Sequence, residues 1–307
     1  MKIFEEIPDT NECVDSSLTI GSFDGVHQGH QSLIRSLLES QEKTKVLISF
    51  HPGPKSFFMK NEYEGDILSK HEKIDIIKKL NIDILCLIKF DDTIRRITAE
   101  LFLEKIAFAF KPKRIIVGYN HTFGNQKKGN MNFLIKNQNK YDFKVTKIDE
   151  IANSDYGSIS SSIIRNYIRE GNISAANVLL GRMYSITGLV ITGKAIGRKI
   201  NFPTANLKFI REKILPKRGV YLVSSKIYDT KFYGMCNVGY KPTVSSKKSI
   251  SVEVHFFDLQ KDIYNENITI NFIRFIRNEK NFKNISFLKK QLIQDKNKCL
   301  EFCNNNV

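Results

Sequence analysis

Along residues 1–180, short runs of β-branched and other apolar residues alternate with segments whose apolar positions recur every three or four residues. The first pattern predicts strands over 17–20, 45–50, 82–88, 114–117 and 143–148; the second predicts helices over 31–39, 70–80 and 99–110. Two further helices are expected over 160–170 and 173–180, separated by Gly171. Strands that alternate with helices in this way form a parallel sheet with crossover helices. Beyond Gly181 the period changes: 184–192, 220–228, 235–238, 251–258 and 268–276 read as strands, with Gly, Asn and Lys between them, and 286–303 as a closing helix. The chain is therefore expected to form an α/β half, 1–180, and a compact β half, 181–307, without internal repeats or low-complexity linkers.

A length of 307 residues accommodates about two domains, each with its own core. Composition is ordinary, with 41% hydrophobic and 26% charged residues, except for a net charge of +16 that attracts anions. The first ten residues carry acids and a proline where an export signal needs an apolar stretch, and no run reaches the ~18 apolar residues of a membrane span. The five cysteines are odd in number and mostly isolated, which argues against a disulfide framework or a zinc site. Cys299 and Cys303 share a helix face, but no histidine or carboxylate cluster accompanies them. A cytoplasmic protein is expected.

The first candidate for chemistry is the string Gly21-Ser22-Phe23-Asp24-Gly25-Val26-His27-Gln28-Gly29-His30, between a predicted strand and a predicted helix. Histidines three apart at a helix entrance share a face with the unpaired N–H groups and the positive end of the macrodipole. Gly29 between them lets a phosphate approach the backbone. This segment resembles the HxGH nucleotidyltransferases, and GSFDGVHQGHQ is similar to the bacterial FMN adenylyltransferases. The loop Gly118-Tyr119-Asn120-His121-Thr122-Phe123-Gly124 with Gly129, and the helix start Ile159-Ser160-Ser161-Ser162-Ile163-Ile164-Arg165, resemble further motifs of that family.

The resemblance implies adenylyl transfer from ATP to FMN, with His27 and His30 catalytic at the ATP phosphates. It assigns Gly21, Phe23, Asp24, Gly25, Gly29, Ser161, Ser162 and Arg165 to ATP and phosphate binding, and Asn120 and Phe123 to flavin binding. One departure stands out: in Phe50-His51-Pro52-Gly53-Pro54, Gly53 replaces the family's loop histidine.

In the second half, Gly188 to Ala195 superficially matches a P-loop. Ala195 replaces the hydroxyl residue that would hold Mg²⁺, and the β-branched interior reads as a strand, so that assignment is rejected. The following Gly193-Lys194-Ala195-Ile196-Gly197-Arg198-Lys199-Ile200-Asn201-Phe202-Pro203-Thr204-Ala205-Asn206 combines flexible glycines with a hydroxyl and an amide oxygen, hard donors suited to Mg²⁺. It resembles the GRxxGFPTAN signature of riboflavin kinase. The strings Gly219-Val220-Tyr221, Asn237-Val238-Gly239-Tyr240, Val252-Glu253-Val254-His255 and Arg277-Asn278-Glu279-Lys280-Asn281-Phe282 continue the resemblance in order. It implies Glu279 as the base, Gly193, Gly197 and Arg198 at phosphate, and Thr204 and Asn206 at the metal. Asn201 and Asn265 replace family glycines; if those positions need a positive φ, Asn is the least costly substitute.

Taken together, the chain resembles the bacterial bifunctional riboflavin kinase/FMN adenylyltransferase family. The implied fold is a Rossmann-like nucleotidyltransferase domain followed by a six-stranded β-barrel with a terminal helix. The implied substrates are riboflavin, FMN and ATP, with Mg²⁺ or another divalent cation, no nucleic-acid or membrane partner, and a monomer or weak oligomer. Two other readings compete. An HxGH transferase of other specificity leaves the PTAN and RxExxF strings without a role. A basic nucleic-acid-binding protein has the charge and the aromatics, but its basic residues are dispersed and carry no RNA-binding signature.

Overall fold

The computed structural model describes residues 1–59, 62–193, 197, 200–210, 212–241 and 249–305. Contacts divide the chain into two compact units, Met1–Ser161 and Ser162–Val307.

The first unit is a six-stranded sheet of β1 (Lys2–Phe4), β2 (Ser16–Ile20), β3 (Thr44–Phe50), β4 (Ile84–Ile88), β5 (Pro112–Gly118) and β6 (Lys144–Ile148). The spatial order is β1-β4-β3-β2-β5-β6 and every pairing is parallel. Every residue of β2 and β4 is buried, the condition under which a strand reads as one apolar run. One core layer joins the sheet to α5 (Ala99–Phe110) through Phe102, Leu103, Ile106 and Phe110. A second joins it to α1 (Gln28–Glu39) and α3 (Lys70–Lys78) through Ile34, Leu37 and Ile77. From β2 the chain builds outward to β3 on one side, and β5 lies on the other. That reversal leaves a crevice beyond the strand C-termini, where open α/β sheets bind ligands.

The strands and helices expected from periodicity are present with small end shifts. Elements not expected are edge strand β1, α2 (Pro54–Met59), α4 (Asp92–Arg96), a 3₁₀ turn (Asn125–Lys127), α6 (Met131–Tyr141) and a short antiparallel hairpin of β7 (Ala152–Asn153) and β8 (Gly157–Ser158). Helix α6 fully buries only Leu134 and is started by Asn130, whose side chain accepts from Phe133 N, so its sequence carries little apolar stripe.

The second unit opens with α7 (Ser161–Glu170) and α8 (Ile173–Leu180). These helices group with the β half, whereas the expected boundary at 180/181 puts them with the first domain. The Asn177 amide fixes α8 to two strands, donating to Phe272 O at 2.9 Å and accepting from Tyr184 N at 2.6 Å. A closed antiparallel barrel follows: β9 (Tyr184–Ile191), β10 (Ala205–Phe209), β11 (Gly219–Ile227), β12 (Thr230–Lys241), β13 (Ser249–Phe256) and β14 (Asn267–Asn278), ordered β10-β13-β12-β11-β14-β9. Gly188 lies within β9, in agreement with rejection of the P-loop. Strand β10 was not expected because it has no β-branched residue. The closing helix α9 (Ile285–Asn305) packs Leu288, Leu292, Cys299 and Phe302 on Val220, Leu222 and Met235 of the barrel.

Candidate active sites

In the first unit, the chain turns from β2 into α1 within the seven residues 21–27. Phe23, Gly25 and Val26 take φ of 44°, 84° and 39°. Positive φ is costly for a β-branched residue, on the order of 1–3 kcal/mol, and persists only where the surroundings fix it. Phe23 and Val26 are wholly buried against Leu47 and Ile116. The Asp24 carboxylate accepts from Ile67 N at 2.9 Å, and Ser161 Oγ donates to Asp24 O at 2.8 Å. Asp24 thus anchors the turn with its carboxylate directed inward. Gly21 lies beneath the Phe23 ring, where a Cβ would come within 3.1 Å.

His27 is the N-cap of α1, its Nδ1 accepting from His30 N at 3.4 Å; with Nδ1 accepting, the neutral ring carries its proton on Nε2. The rings of His27 and His30 stack with centroids 3.7 Å apart, and Phe23 backs His30 at 5.0 Å. A Cβ on Gly29 would stand 3.3 Å from the His27 ring, so this glycine gives room to the imidazole. The structure therefore brings two imidazoles together at a helix N-terminus beyond the end of β2.

Asn120 is exposed beyond the end of β5, across the switch point from β2. Phe123 is only 7% exposed and packs between Phe102 and Phe133, so most of its ring belongs to the core. His121 is partly buried beside it; burial pushes its pKa down to about 4, which keeps the ring neutral. In the departing loop, His51 is buried with Nδ1 3.6 Å from Asp66. Ser162 and Arg165 lie on α7, in the second unit.

Two features of the first unit escaped sequence reading. Phe50, Phe57, Phe58 and Phe90 form a cluster beyond β3 and β4, with centroids 5.4–6.0 Å apart and Phe58 64% exposed. The adjacent pair Phe57-Phe58 was the available signal. Lys73 is 1% exposed and donates to Ser22 O and Phe50 O at 2.9 and 3.0 Å, joining the two loops; a lysine in a polar helix gives no such signal. A separate hollow of about 590 Å³, beside Val14, Phe108 and Pro112, contains none of the candidate residues.

In the second unit, Gly197 O accepts from Phe202 N at 2.8 Å, and a Cβ at Gly197 would meet Phe202 O at 2.1 Å. Pro203 O accepts from His255 Nδ1 at 2.8 Å, and burial lowers the pKa of that ring. The turn carries Thr204 to the wall of a cavity of about 280 Å³, also lined by Val190, Phe256 and Tyr264. Asn206 is buried on β10, its amide over Gly193, where a Cβ would come within 2.1 Å of Nδ2. Only glycine leaves space there.

Glu279 follows the last residue of β14. Its side chain is 35% exposed, with Oε2 3.7 Å from Arg218 Nη1, and Arg218 lies 4.6 Å over the Tyr240 ring. A Cβ on Gly239 would stand 2.4 Å from Glu279 Oε1. Arg198 lies outside the described residues. Among the described residues, no three His, Cys, Asp or Glu side chains group as a metal site.

Residues 9–163 match the FAD synthetase family and residues 180–303 the riboflavin kinase family. The chain is 38% identical to the bifunctional riboflavin kinase/FMN adenylyltransferase of Buchnera aphidicola subsp. Schizaphis graminum, over 92% of each chain. This chain belongs to the bifunctional riboflavin kinase/FMN adenylyltransferase family. The Bacillus subtilis 168 relative is 32% identical over 96% of this chain and 94% of its own, and that of Escherichia coli K12 is 31% identical over 93% and 92%. A crystal structure described as a macrolide-efflux protein from Streptococcus pneumoniae shares the fold, with a TM-score of 0.85 at 30% identity, covering 96% of this chain and 97% of that one.

The two halves of a bifunctional riboflavin kinase/FMN adenylyltransferase thus occupy this chain in the expected order, adenylyltransferase first and kinase second. Two departures from the kinase pattern find their reason in the backbone. Asn201 has φ 65° and Asn265 φ 63°, the left-handed region a glycine adopts freely and asparagine tolerates.

Proposed function

We propose that the stacked pair His27 and His30 carries FMN adenylylation. In this reading an FMN phosphate oxygen attacks the ATP α-phosphorus in line; the new P–O bond forms as the bond to the β-phosphate oxygen breaks, and pyrophosphate leaves. His27 Nε2–H and the His30 ring donate to the phosphate oxygens, where charge builds up at the positive end of α1. Gly21, Phe23, Gly25 and Gly29 shape the turn, Asp24 and Ser161 hold it, Ser162 and Arg165 engage the triphosphate, and Asn120 orients the flavin. The exposed face of the Phe57, Phe58 and Phe90 cluster supplies an apolar platform for an aromatic ring system beyond the same strand ends.

In the second unit, Glu279 accepts the proton of the riboflavin hydroxyl as its oxygen attacks the γ-phosphorus and ADP leaves. The oxygens at Thr204 and Asn206 are neutral hard donors of the kind that suit a hydrated divalent cation carried with phosphates, and Gly193 leaves the room that the Asn206 amide occupies. Thr204 and Asn206 would hold that cation, which neutralises phosphate charge when bound; Gly193, Gly197 and Arg198 face the phosphates. The Thr204 cavity takes part of the nucleotide.

We further assign residues 1–180 and 181–307 to the two activities, in a cytoplasmic monomer or weak oligomer without nucleic-acid or membrane partners. No helix among the described residues is long and apolar enough to cross a membrane. The direct test is incubation of the full chain with riboflavin, ATP and Mg²⁺, with riboflavin, FMN and FAD resolved over time. FMN should rise first and FAD follow; FMN that never becomes FAD would overturn the role given to His27 and His30.

A further inference from the structure

Glu279 lies one residue past Asn278, the last paired residue of β14. The ladder that delivers it slips register twice, between Val220 and Tyr221 and between Leu222 and Val223 of β11. The ladder itself ends at Asn278, so strand pairing does not reach Glu279, yet its carboxylate fits a gap that a single methyl at Gly239 would fill.

Helix α9 supplies two ties that bracket this residue. On one side Arg277 forks onto Asp295, with Nε at 2.9 and 3.0 Å from the two carboxylate oxygens and Nη2 at 2.7 Å from Oδ2. Asp295 is wholly buried, and Arg277 Nη1 also donates to Asn278 O at 2.9 Å. On the other side Lys280 Nζ donates to Gln291 Oε1 at 3.1 Å, and Gln291 Nε2 donates to Asp295 Oδ1 at 3.0 Å. Gln291 and Asp295 are four apart on one face of α9, so a single helical stripe holds the residues two before and one after Glu279. A buried ion pair adds little stability over a well-packed apolar pair, whereas a bidentate fork fixes direction.

We infer that Asp295 and Gln291 are positioning residues for riboflavin phosphorylation, acting through Arg277 and Lys280 to aim the Glu279 carboxylate. This rests on Glu279 being the base, and the test separates the two. In the full chain, Asp295→Asn and Gln291→Leu should lower kcat for riboflavin phosphorylation, by on the order of 10²-fold for Asp295→Asn. KM for riboflavin and ATP, and FAD formation from supplied FMN, should be unchanged, and Asp295→Glu should restore part of kcat. Because removing one member of a buried pair can unfold a domain, Arg277→Met/Asp295→Leu provides a second variant without an unpaired charge; it should unfold near the parent temperature and still phosphorylate slowly. In a Glu279→Gln background these changes should cost nothing further. A folded variant with parental kcat, or an equal loss with and without Glu279, would overturn the inference. Full turnover by Glu279→Gln alone would instead remove the base itself, and the inference with it.

Discussion

At the residue scale, Asn201 and Asn265 show how a departure from a motif can be read physically. Both hold a left-handed backbone, so Asn201→Val or Asn265→Val should destabilise the second unit by about 1–2 kcal/mol in urea unfolding, while replacement by glycine should be nearly neutral. His121 gives a pH dependence with a definite sign. Its folded pKa, about 4, lies below the ordinary 6.5, so the unfolded chain takes up the proton first. The stability it contributes is present above pH 6.5 and is lost as pH falls toward 4, on the order of 3 kcal/mol. Unfolding of the first unit followed across that window should show the loss, and His121→Phe should flatten it. The histidine pair and its glycines stand out in the sequence as a strand-to-helix turn, whereas Glu279 was legible only through family resemblance. Lys73 was legible in neither way: its burial depends on two carbonyls, at Ser22 and Phe50, distant in sequence.

At the element scale, enclosure on both faces made several elements legible. Strands β2 and β4, enclosed on both faces, read as apolar runs, and α5 read as a helix because six of its residues are buried. Edge strand β1, the polar helix α6 and β10 lack that imprint and are held by tertiary partners. Helices α7 and α8 were predicted as elements, but their grouping with the barrel rests on ties that no periodicity reveals, among them Lys217 N donating to Ile168 O and the two bonds of the Asn177 amide. Asn177→Ala leaves Phe272 O and Tyr184 N without that partner, and should destabilise the second unit by about 1–3 kcal/mol in thermal unfolding.

At the scale of the whole molecule, the FAD synthetase and riboflavin kinase families match successive stretches of one chain, residues 9–163 and 180–303. The +16 charge suits a protein whose substrates are phosphates, but the flavin was legible only through family resemblance. The aromatic cluster of Phe50, Phe57, Phe58 and Phe90 depends on strands β3 and β4 ending side by side, which local pattern does not disclose. We assign the His27–His30 pair to adenylylation alone and Glu279 to phosphorylation alone. The most direct measurement compares full-length His30→Ala and Glu279→Gln, assaying FMN formation from riboflavin and FAD formation from supplied FMN separately, with folding checked by circular dichroism. His30→Ala should lose FAD formation by about 10²–10³-fold with FMN formation intact. Glu279→Gln should lose FMN formation by about 10²–10⁴-fold with FAD formation intact. A folded His30→Ala or Glu279→Gln protein that loses both activities together, or neither, would contradict the assignment.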